Sequence, residues 1–210
     1  MLNYTPELAK DWVNAANRIQ RDMPWRMNDW LTSINHDHLR SKFWIIEKLQ
    51  DLELHVDEDS WVCYMAAWNN AVMLPLLVET LGYRNVVCLD IDSDSKLIHN
   101  VANRRIRDNF HVEYKIRDVV FEKPDWVPYN LVINTACEHM LPMRDVFADR
   151  AVQEDTTFVF QSNDMYSEKG HINCVDYVDE LIDQSGLTDI MFAGEMPLSK
   201  CKRFMVIGKR

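Results

Sequence analysis

A cluster of polar and titratable residues follows directly after a short apolar run near the middle of the chain. The run itself, residues 131–133 (LVI), has the pattern of a strand that is buried on both faces of a parallel sheet. An amide, a thiol, a carboxylate and an imidazole come next: Asn134, Cys137, Glu138 and His139. Open α/β sheets bind their ligands beyond the carboxyl ends of their strands. The residue types and their position therefore indicate a functional site.

Several chemistries are open to this cluster. Glu138 or His139 could act as a general base or orient a substrate, because an imidazole titrates near neutrality and burial shifts a carboxyl towards it. Either residue could instead cap a helix or be a satisfied polar group in the core. Cys137 could be a nucleophile if a neighbouring imidazole stabilised its thiolate, but we favour a small buried hydrophobe.

The same stretch also offers metal ligands. Zinc accepts the thiols, carboxylate and imidazoles of Cys137, Glu138, His139, His171 and Cys174. Adjacent residues seldom both bind one ion, and the sequence contains no recognised ligand spacing. We therefore expect no metal, and a zinc site remains the alternative.

A second acidic strand end lies upstream, where Asp90 closes the run NVVCLD. A carboxylate only accepts hydrogen bonds and can take two donors at once, which suits the two hydroxyls of a ribose. The alternative is a charge that favours the dipole of the following helix, the role we assign to Asp92 and Asp94.

The elements that must position these residues begin with helices. Apolar residues recur at helical spacing from Leu8 to Ile19, with Thr5 as N-cap and a stop at Pro24, and again over 39–52. We expect residues 1–56 to form a helical arm and residues 57–210 an α/β domain, packed as one unit.

From Trp61 onwards, strands alternate with helices. Strands are expected at 61–67, 85–91, 111–116, 130–133, 156–161, 189–193 and 203–207, and helices near 74–81, 97–106, 143–152 and 175–184. Gly82 is the expected C′ residue of the first of these helices, Ser93 the N-cap of the second, and Pro197 lies in the last connection. This alternation predicts a mostly parallel sheet with an antiparallel C-terminal edge.

From Trp61 to the C-terminus this order resembles the class I S-adenosylmethionine-dependent methyltransferases. The resemblance implies a Rossmann-like sheet of about seven strands with helices on both faces. It also implies that Asp90 binds the ribose, Ile91 and Asp118 contact the adenine, and Asn134 lies near the transferred methyl group. We expect Glu138 and His139 to face the methyl acceptor together with Asn134. The segments NTACEHM, FQSND, HINCVD and RFMVIG additionally resemble small methyltransferase-like proteins of phage and environmental origin.

The chain departs from that family in the loop after its first strand. The family's GxGxG is replaced by AAWNN, and all five glycines lie elsewhere. Glycines serve there because the backbone must approach the ligand and φ can be positive. We expect Ala66, Ala67, Trp68 and Asn69 to line the cofactor in an altered pose, with Trp68 either stacking on the ligand or filling the vacated space.

The resemblance thus implies transfer of a methyl group from S-adenosylmethionine to an unknown acceptor. Two alternatives remain open. The chain could transfer the aminocarboxypropyl group of the same cofactor, or it could be a non-catalytic binding or assembly module that has lost the cofactor.

Composition limits the partners. The net charge of −10 argues against non-specific binding to a phosphate backbone. No apolar run approaches a membrane span, and five cysteines without CxxC spacing do not suggest a disulfide framework. We expect a cytoplasmic protein whose partners are a small-molecule cofactor and its acceptor; the sequence leaves the oligomeric state open.

Overall fold

A mixed sheet dominates the computed structural model, which describes residues 5–122, 128–148 and 151–210. The strands of this part of the chain are β1 (Trp61–Met65), β2 (Asn85–Asp90), β3 (His111–Ile116), β4 (Leu131–Asn134), β5 (Thr157–Asn163), β6 (Asp189–Pro197) and β7 (Lys202–Lys209). They form a seven-stranded sheet in the order β3-β2-β1-β4-β5-β7-β6. The pairs β2–β3, β1–β4 and β4–β5 are parallel, while β7 runs antiparallel to both β5 and β6. The predicted α/β class, with an antiparallel C-terminal edge, is confirmed.

The helices of the described residues are α1 (Pro6–Asp22), α2 (Met27–Ser33), α3 (His36–Asp51), α4 (Met73–Glu79), α5 (Ser93–Ala102), α6 (Arg104–Arg107), α7 (Met143–Val146) and α8 (Val178–Ser185). Short 3-10 turns occur at Pro24–Arg26 and Cys137–His139. None of these helices is long and apolar enough to cross a membrane.

The chain divides into two compact units. The first unit comprises Met1–Ser60 and Trp68–Ile116, and the second comprises Trp61–Ala67 and Arg117–Arg210. The boundary between the units lies in the loop after β1: Ala66 and Ala67 belong to the second unit and Trp68 to the first. Each unit contributes candidate site residues of its own.

In the first unit, α1 packs against α5. Thr5 caps α1 as predicted, because its hydroxyl accepts a hydrogen bond from the backbone N–H of Leu8 (3.1 Å). The apolar stripe of α1 contributes Ala15 and Ile19 to a buried cluster that also holds Ile98 and Ala102 of α5. The predicted helical stripe therefore lies in the core.

In the second unit, β4 and β5 carry the core. Every residue of both strands is buried. The ring of Phe147 lies 5.2 Å from that of Phe158 and 6.2 Å from that of Phe160, measured between ring centroids. The burial of β4 confirms the strand that precedes the polar cluster.

Several predicted boundaries were wrong. Asp92, not Ser93, caps α5, because Asp92 has an extended backbone and its carboxylate accepts the N–H of Asp94 at 2.9 Å. The helix predicted over 143–152 ends at Val146, although residues 149–150 lie outside the described residues. Pro197 belongs to β6 rather than to the connection, at the end of an edge strand, where a missing N–H is tolerated.

Two glycines with positive φ provide a test of the packing. Gly82 (φ 84°) follows α4, two positions beyond its C-cap Thr80 rather than at the predicted C′, and a Cβ there would meet nothing within 4 Å. Gly186 (φ 69°) caps α8, and a Cβ there would lie 2.7 Å from the Cβ of Arg144.

We expect Gly186→Ala to lower the free energy of unfolding by about 2–3 kcal/mol, because the left-handed backbone and the overpacking against Arg144 both act. Gly82→Ala, the matched control, should lower it by about 1 kcal/mol, since only the backbone term applies. Urea unfolding at constant m-value measures both variants. Equal losses for the two would contradict the clash with Arg144.

Candidate functional site

The loop after β1 contains three residues with positive φ although it contains no glycine. Ala66, Trp68 and Asn70 have φ values of 46°, 47° and 49°. These three left-handed residues alternate at the spacing of the glycines in GxGxG. A left-handed residue with a side chain costs about 1–2 kcal/mol, so the surrounding structure must hold this conformation in place.

Hydrogen bonds to the backbone of Trp68 supply part of that support. The N–H of Trp68 donates to Oδ2 of Asp90 at 2.6 Å, and the hydroxyl of Tyr114 donates to the carbonyl of Trp68 at 2.6 Å. Asp90 ends β2 and Tyr114 belongs to β3. Two neighbouring strands therefore bind the N–H and the carbonyl of Trp68. The Trp68 ring is half-buried and lies 6.0 Å from the ring of His38.

Buried side chains support the rest of the loop. Asn70 accepts the N–H of Leu74 (2.9 Å) and donates to the sulfur of Cys88 (3.1 Å). The amide of Asn103 donates to the carbonyl of Asn70 (3.2 Å) and lies 3.2 Å from Nδ1 of His99. Asn69 accepts the N–H of Ala71 at 3.2 Å. The amides therefore stabilise the loop from the core side.

Asp90 retains acceptor capacity. Its Oδ1 accepts the N–H of Asp92 (2.9 Å) and its Oδ2 that of Trp68. Burial raises the pKa of Asp90, although these backbone hydrogen bonds oppose the shift. The N–H of Ile91 also donates to this carboxylate. Because a carboxylate offers about four acceptor positions, acceptor capacity remains for a hydroxyl donor. The next residue, Ile91, is 70% exposed and offers an apolar surface beside the carboxylate.

Asp92 lies at the start of α5, as the sequence indicated, and it also binds Arg26. Burial opposes its ionisation, but hydrogen bonds from Arg26 (2.6 Å) and Ser95 (2.7 Å) prevail and hold its pKa at about 2. The carboxylate thereby ties the 3-10 turn after α1 to the start of α5. Its oxygens are used for structure.

In the second unit, Asp118 and Asn134 make local hydrogen bonds. Oδ1 of Asp118 accepts the N–H groups of Val120 (2.9 Å) and Phe121 (3.4 Å). Oδ1 of the fully buried Asn134 accepts the N–H of Ala136 (2.9 Å). The Asn134 amide nitrogen contacts the sulfurs of Met140 and Met143, at 3.1 and 3.3 Å. Both side chains shape the turns in which they lie, and their predicted ligand contacts stay predictions.

Glu138 forms a buried ion pair with Arg203. Its Oε1 accepts from Nη1 of Arg203 at 2.8 Å and from the amide of Asn163 at 2.7 Å. Arg203 also donates to the carbonyl of Thr135. Burial works against the charge of Arg203, but the Glu138 carboxylate outweighs it and raises the pKa of Arg203. Oε2 of Glu138 is buried and has no hydrogen-bond partner among the described residues.

Sequence reasoning missed Arg203. It lies on β7 directly opposite Asn163 of β5, and this antiparallel register brings the guanidinium to Glu138. A lone arginine at the start of an edge-side strand gives no local signal of such a partner. Only the pairing of β5 with β7, two strands far apart in sequence, identifies Glu138 as the partner of Arg203.

The remaining cluster residues divide by burial. Cys137 is buried and burial raises the pKa of its thiol, which favours the predicted small hydrophobe over a nucleophile. His139 is exposed and its ring centroid lies 4.5 Å from that of His171. The structure therefore brings together Glu138, His139 and His171.

The loop conformation generates a stability prediction. Ala66→Gly should raise the free energy of unfolding by about 0.5–1 kcal/mol, because relief of the left-handed backbone exceeds the added chain entropy. Ala67→Gly, at a position without positive φ, should lower it by about 0.5–1 kcal/mol. Denaturant unfolding of both variants tests this, and a loss of stability in Ala66→Gly would refute it.

The buried imidazole of His99 generates a pH prediction. Burial lowers its pKa from 6.5 to about 3. Between those values the unfolded chain takes up a proton that the folded chain refuses. Stability should therefore be fully present above pH 6.5 and fall as the pH drops, by up to about 1.4 kcal/mol per pH unit from this group.

The measurement is the pH dependence of urea unfolding between pH 4 and 7. His99→Gln should have a shallower slope than the wild type by up to one proton. His55→Gln, at an exposed position, should keep the wild-type slope. Parallel curves for His99→Gln and the wild type would contradict the assignment.

Comparisons with known proteins bear on the fold. No family model and no curated protein sequence matches this chain. Solved structures do. Geranyl diphosphate C-methyltransferase from Streptomyces coelicolor A3(2), in complex with Mg²⁺, geranyl diphosphate and S-adenosyl-L-homocysteine, superposes with a TM-score of 0.62 at 10% identity, covering 99% of this chain and 100% of that one.

Two further structures are similar. N-methyltransferase NodS from Bradyrhizobium japonicum WM9 gives a TM-score of 0.62 at 10% identity over 85% of this chain and 99% of its own. MtNAS in complex with MTA and tNA gives 0.55 at 16% identity over 97% and 72%. The resemblance to phage proteins stays a prediction. The fold that the sequence predicted is confirmed: the chain has the Rossmann-like fold of the class I S-adenosylmethionine-dependent methyltransferases.

Proposed function

We propose that the protein is an S-adenosylmethionine-dependent methyltransferase. The observation that carries the proposal is the loop after β1, whose backbone has the alternating left-handed residues of a glycine-rich loop and is hydrogen-bonded to Asp90. A sequence that lacks the glycines has little reason to keep this strained backbone unless the loop is used. The similar structures with bound S-adenosylhomocysteine support the choice of cofactor.

Asp90 and Ile91 would hold the nucleoside. The remaining acceptor capacity of the Asp90 carboxylate suits a ribose hydroxyl, which can donate to it. The exposed side chain of Ile91 suits the face of an adenine. The backbone of Ala66, Ala67, Trp68 and Asn69 would approach the cofactor, and Asp118 would accept from the adenine amine.

In the second unit, Asn134, Glu138 and His139 remain the residues proposed to face the acceptor. Methyl transfer breaks the bond from sulfur to the methyl carbon and forms one from that carbon to the nucleophile, whose proton must leave. Positioning supplies much of the acceleration in such a displacement. Of the three side chains, only the imidazole of His139 is exposed. It would contact the acceptor directly, and the proton would leave to solvent water. Asn134 and Glu138 are buried and would act by orienting neighbouring groups.

Transfer of the aminocarboxypropyl group is the second candidate. The similarity to MtNAS in complex with MTA and tNA favours it. The two reactions use the same cofactor and differ in the bond that breaks. Methyl transfer leaves S-adenosylhomocysteine, whereas aminocarboxypropyl transfer leaves 5′-methylthioadenosine. Once an acceptor is found, chromatography of the nucleoside product distinguishes them.

Cofactor binding is tested first, by calorimetric titration with S-adenosylmethionine and S-adenosylhomocysteine. We expect saturable binding to the wild type and binding weaker by at least tenfold, about 1.4 kcal/mol, in Asp90→Ala, because a hydrogen bond to a charged group contributes about that much or more. Asp94→Ala, at an exposed carboxylate four residues further along the chain, should bind like the wild type.

The outcome separates the enzyme from a binding module. No heat and no thermal stabilisation at millimolar concentrations of either ligand would rule out the methyltransferase proposal. It would favour a module in which the Trp68 side chain occupies the cofactor's place. Circular dichroism of Asp90→Ala checks that the loss of its bond to Trp68 has not unfolded the protein.

A further inference from the structure

We propose that Glu138, His139 and His171 form a binding site for a divalent transition-metal ion. Each residue offers one ligating atom, and the three atoms lie within 4.8 Å of one another. The proposal does not require the cofactor, because neither the three residues nor the groups that orient them are assigned to cofactor binding.

The carboxylate of Glu138 supplies the first argument. Its side chain is 95% buried, and Arg203 and Asn163 both donate to Oε1 alone. Oε2 is buried and has no hydrogen-bond partner in the described part of the chain. A buried acceptor without a partner costs about 1–3 kcal/mol, more when it is charged. A metal ion at Oε2 removes that cost.

The orientation of the two imidazoles supplies the second argument. Nδ1 of His139 lies 3.2 Å from the carbonyl oxygen of Gly170, and Nδ1 of His171 lies 2.9 Å from that of Met165. A carbonyl only accepts, so each Nδ1 carries the ring proton and each Nε2 keeps its lone pair. Metal-binding histidines are oriented in this way by a backbone carbonyl or a carboxylate.

The backbone holds the two halves of the site together. The carbonyl of Glu138 accepts the N–H groups of Ile172 (2.8 Å) and Asn173 (3.0 Å). These bonds fix the segment that carries His171 against the 3-10 turn Cys137–His139. Within that turn, Glu138 is buried and its neighbour His139 is exposed, yet each offers a ligating atom to this group of three. The rule that adjacent residues seldom share an ion is overcome by this geometry.

The donor set indicates the class of ion. Two imidazoles and one carboxylate suit zinc, and also iron(II), and leave coordination positions open for water or a substrate oxygen. Cys174 is not a ligand, because its sulfur lies 3.6 Å from Nδ1 of His171, the side of the ring that carries the proton. Hard ions such as Mg²⁺ prefer oxygen ligands and should bind less tightly.

The test is a zinc titration of the full chain after treatment with a chelator, in the absence of S-adenosylmethionine. Competition with a chromophoric chelator gives stoichiometry and affinity. We expect one equivalent of zinc per chain. His139→Ala and His171→Ala should each weaken binding by at least about 100-fold, because loss of even an orienting group costs about 10–100-fold. His55→Ala, at an exposed histidine whose Nε2 lies 3.5 Å from Oδ2 of Asp57, should leave zinc binding unchanged.

Two histidine variants are used because Glu138→Gln leaves the buried charge of Arg203 without its partner and risks unfolding the protein. Circular dichroism confirms that the histidine variants are folded. Absence of zinc binding to the wild type would overturn the proposal. So would unchanged affinity in both histidine variants, since the ion would then lie elsewhere. Neither result depends on cofactor binding, which the Asp90 titration measures separately.

Discussion

The left-handed backbone between β1 and α4 is the constraint to which the first unit is fitted. Ala66, Trp68 and Asn70 carry side chains where glycine is usual, and such residues persist only when their surroundings over-determine them. Asp90 and Tyr114 bind the two polar groups of the Trp68 backbone from neighbouring strands. Buried amides hold the adjoining residues from the core. Hydrogen bonds, rather than glycines, therefore hold this loop in its left-handed conformation.

A buried ion pair has the corresponding role in the second unit. Glu138, Asn163 and Arg203 come from three different elements and meet in the core. Removing one partner of such a pair typically costs about 3–5 kcal/mol, because the other charge stays buried. The pair uses only one carboxylate oxygen. Structural and ligand-binding roles can therefore coexist in Glu138, one on each oxygen.

These two features show that one polar side chain can stabilise the fold and still have an oxygen atom available for a ligand. Asp90 accepts backbone N–H groups and still has acceptor capacity. Asp92, two residues on, has its oxygens engaged by Arg26 and Ser95. The difference is one of remaining acceptor capacity, which residue type alone does not express. The same criterion distinguishes Glu138 from Asn134, whose amide is partnered on both sides.

The sequence by itself determined the fold class, the strand that precedes the polar cluster and the cap of α1. These follow from periodicity, capping and strand ends, which depend on near neighbours. It misplaced the cap of α5, because Asp92 and Ser93 are both good caps and only backbone angles choose between them. Tertiary structure decided the partners of Glu138 and the meeting of His139 with His171. The alternating φ values of AAWNN likewise required the surrounding strands, because no local preference puts alanine or tryptophan in the left-handed region. These contacts depend on strand register and on loops that bring distant residues together. Local sequence patterns predict neither.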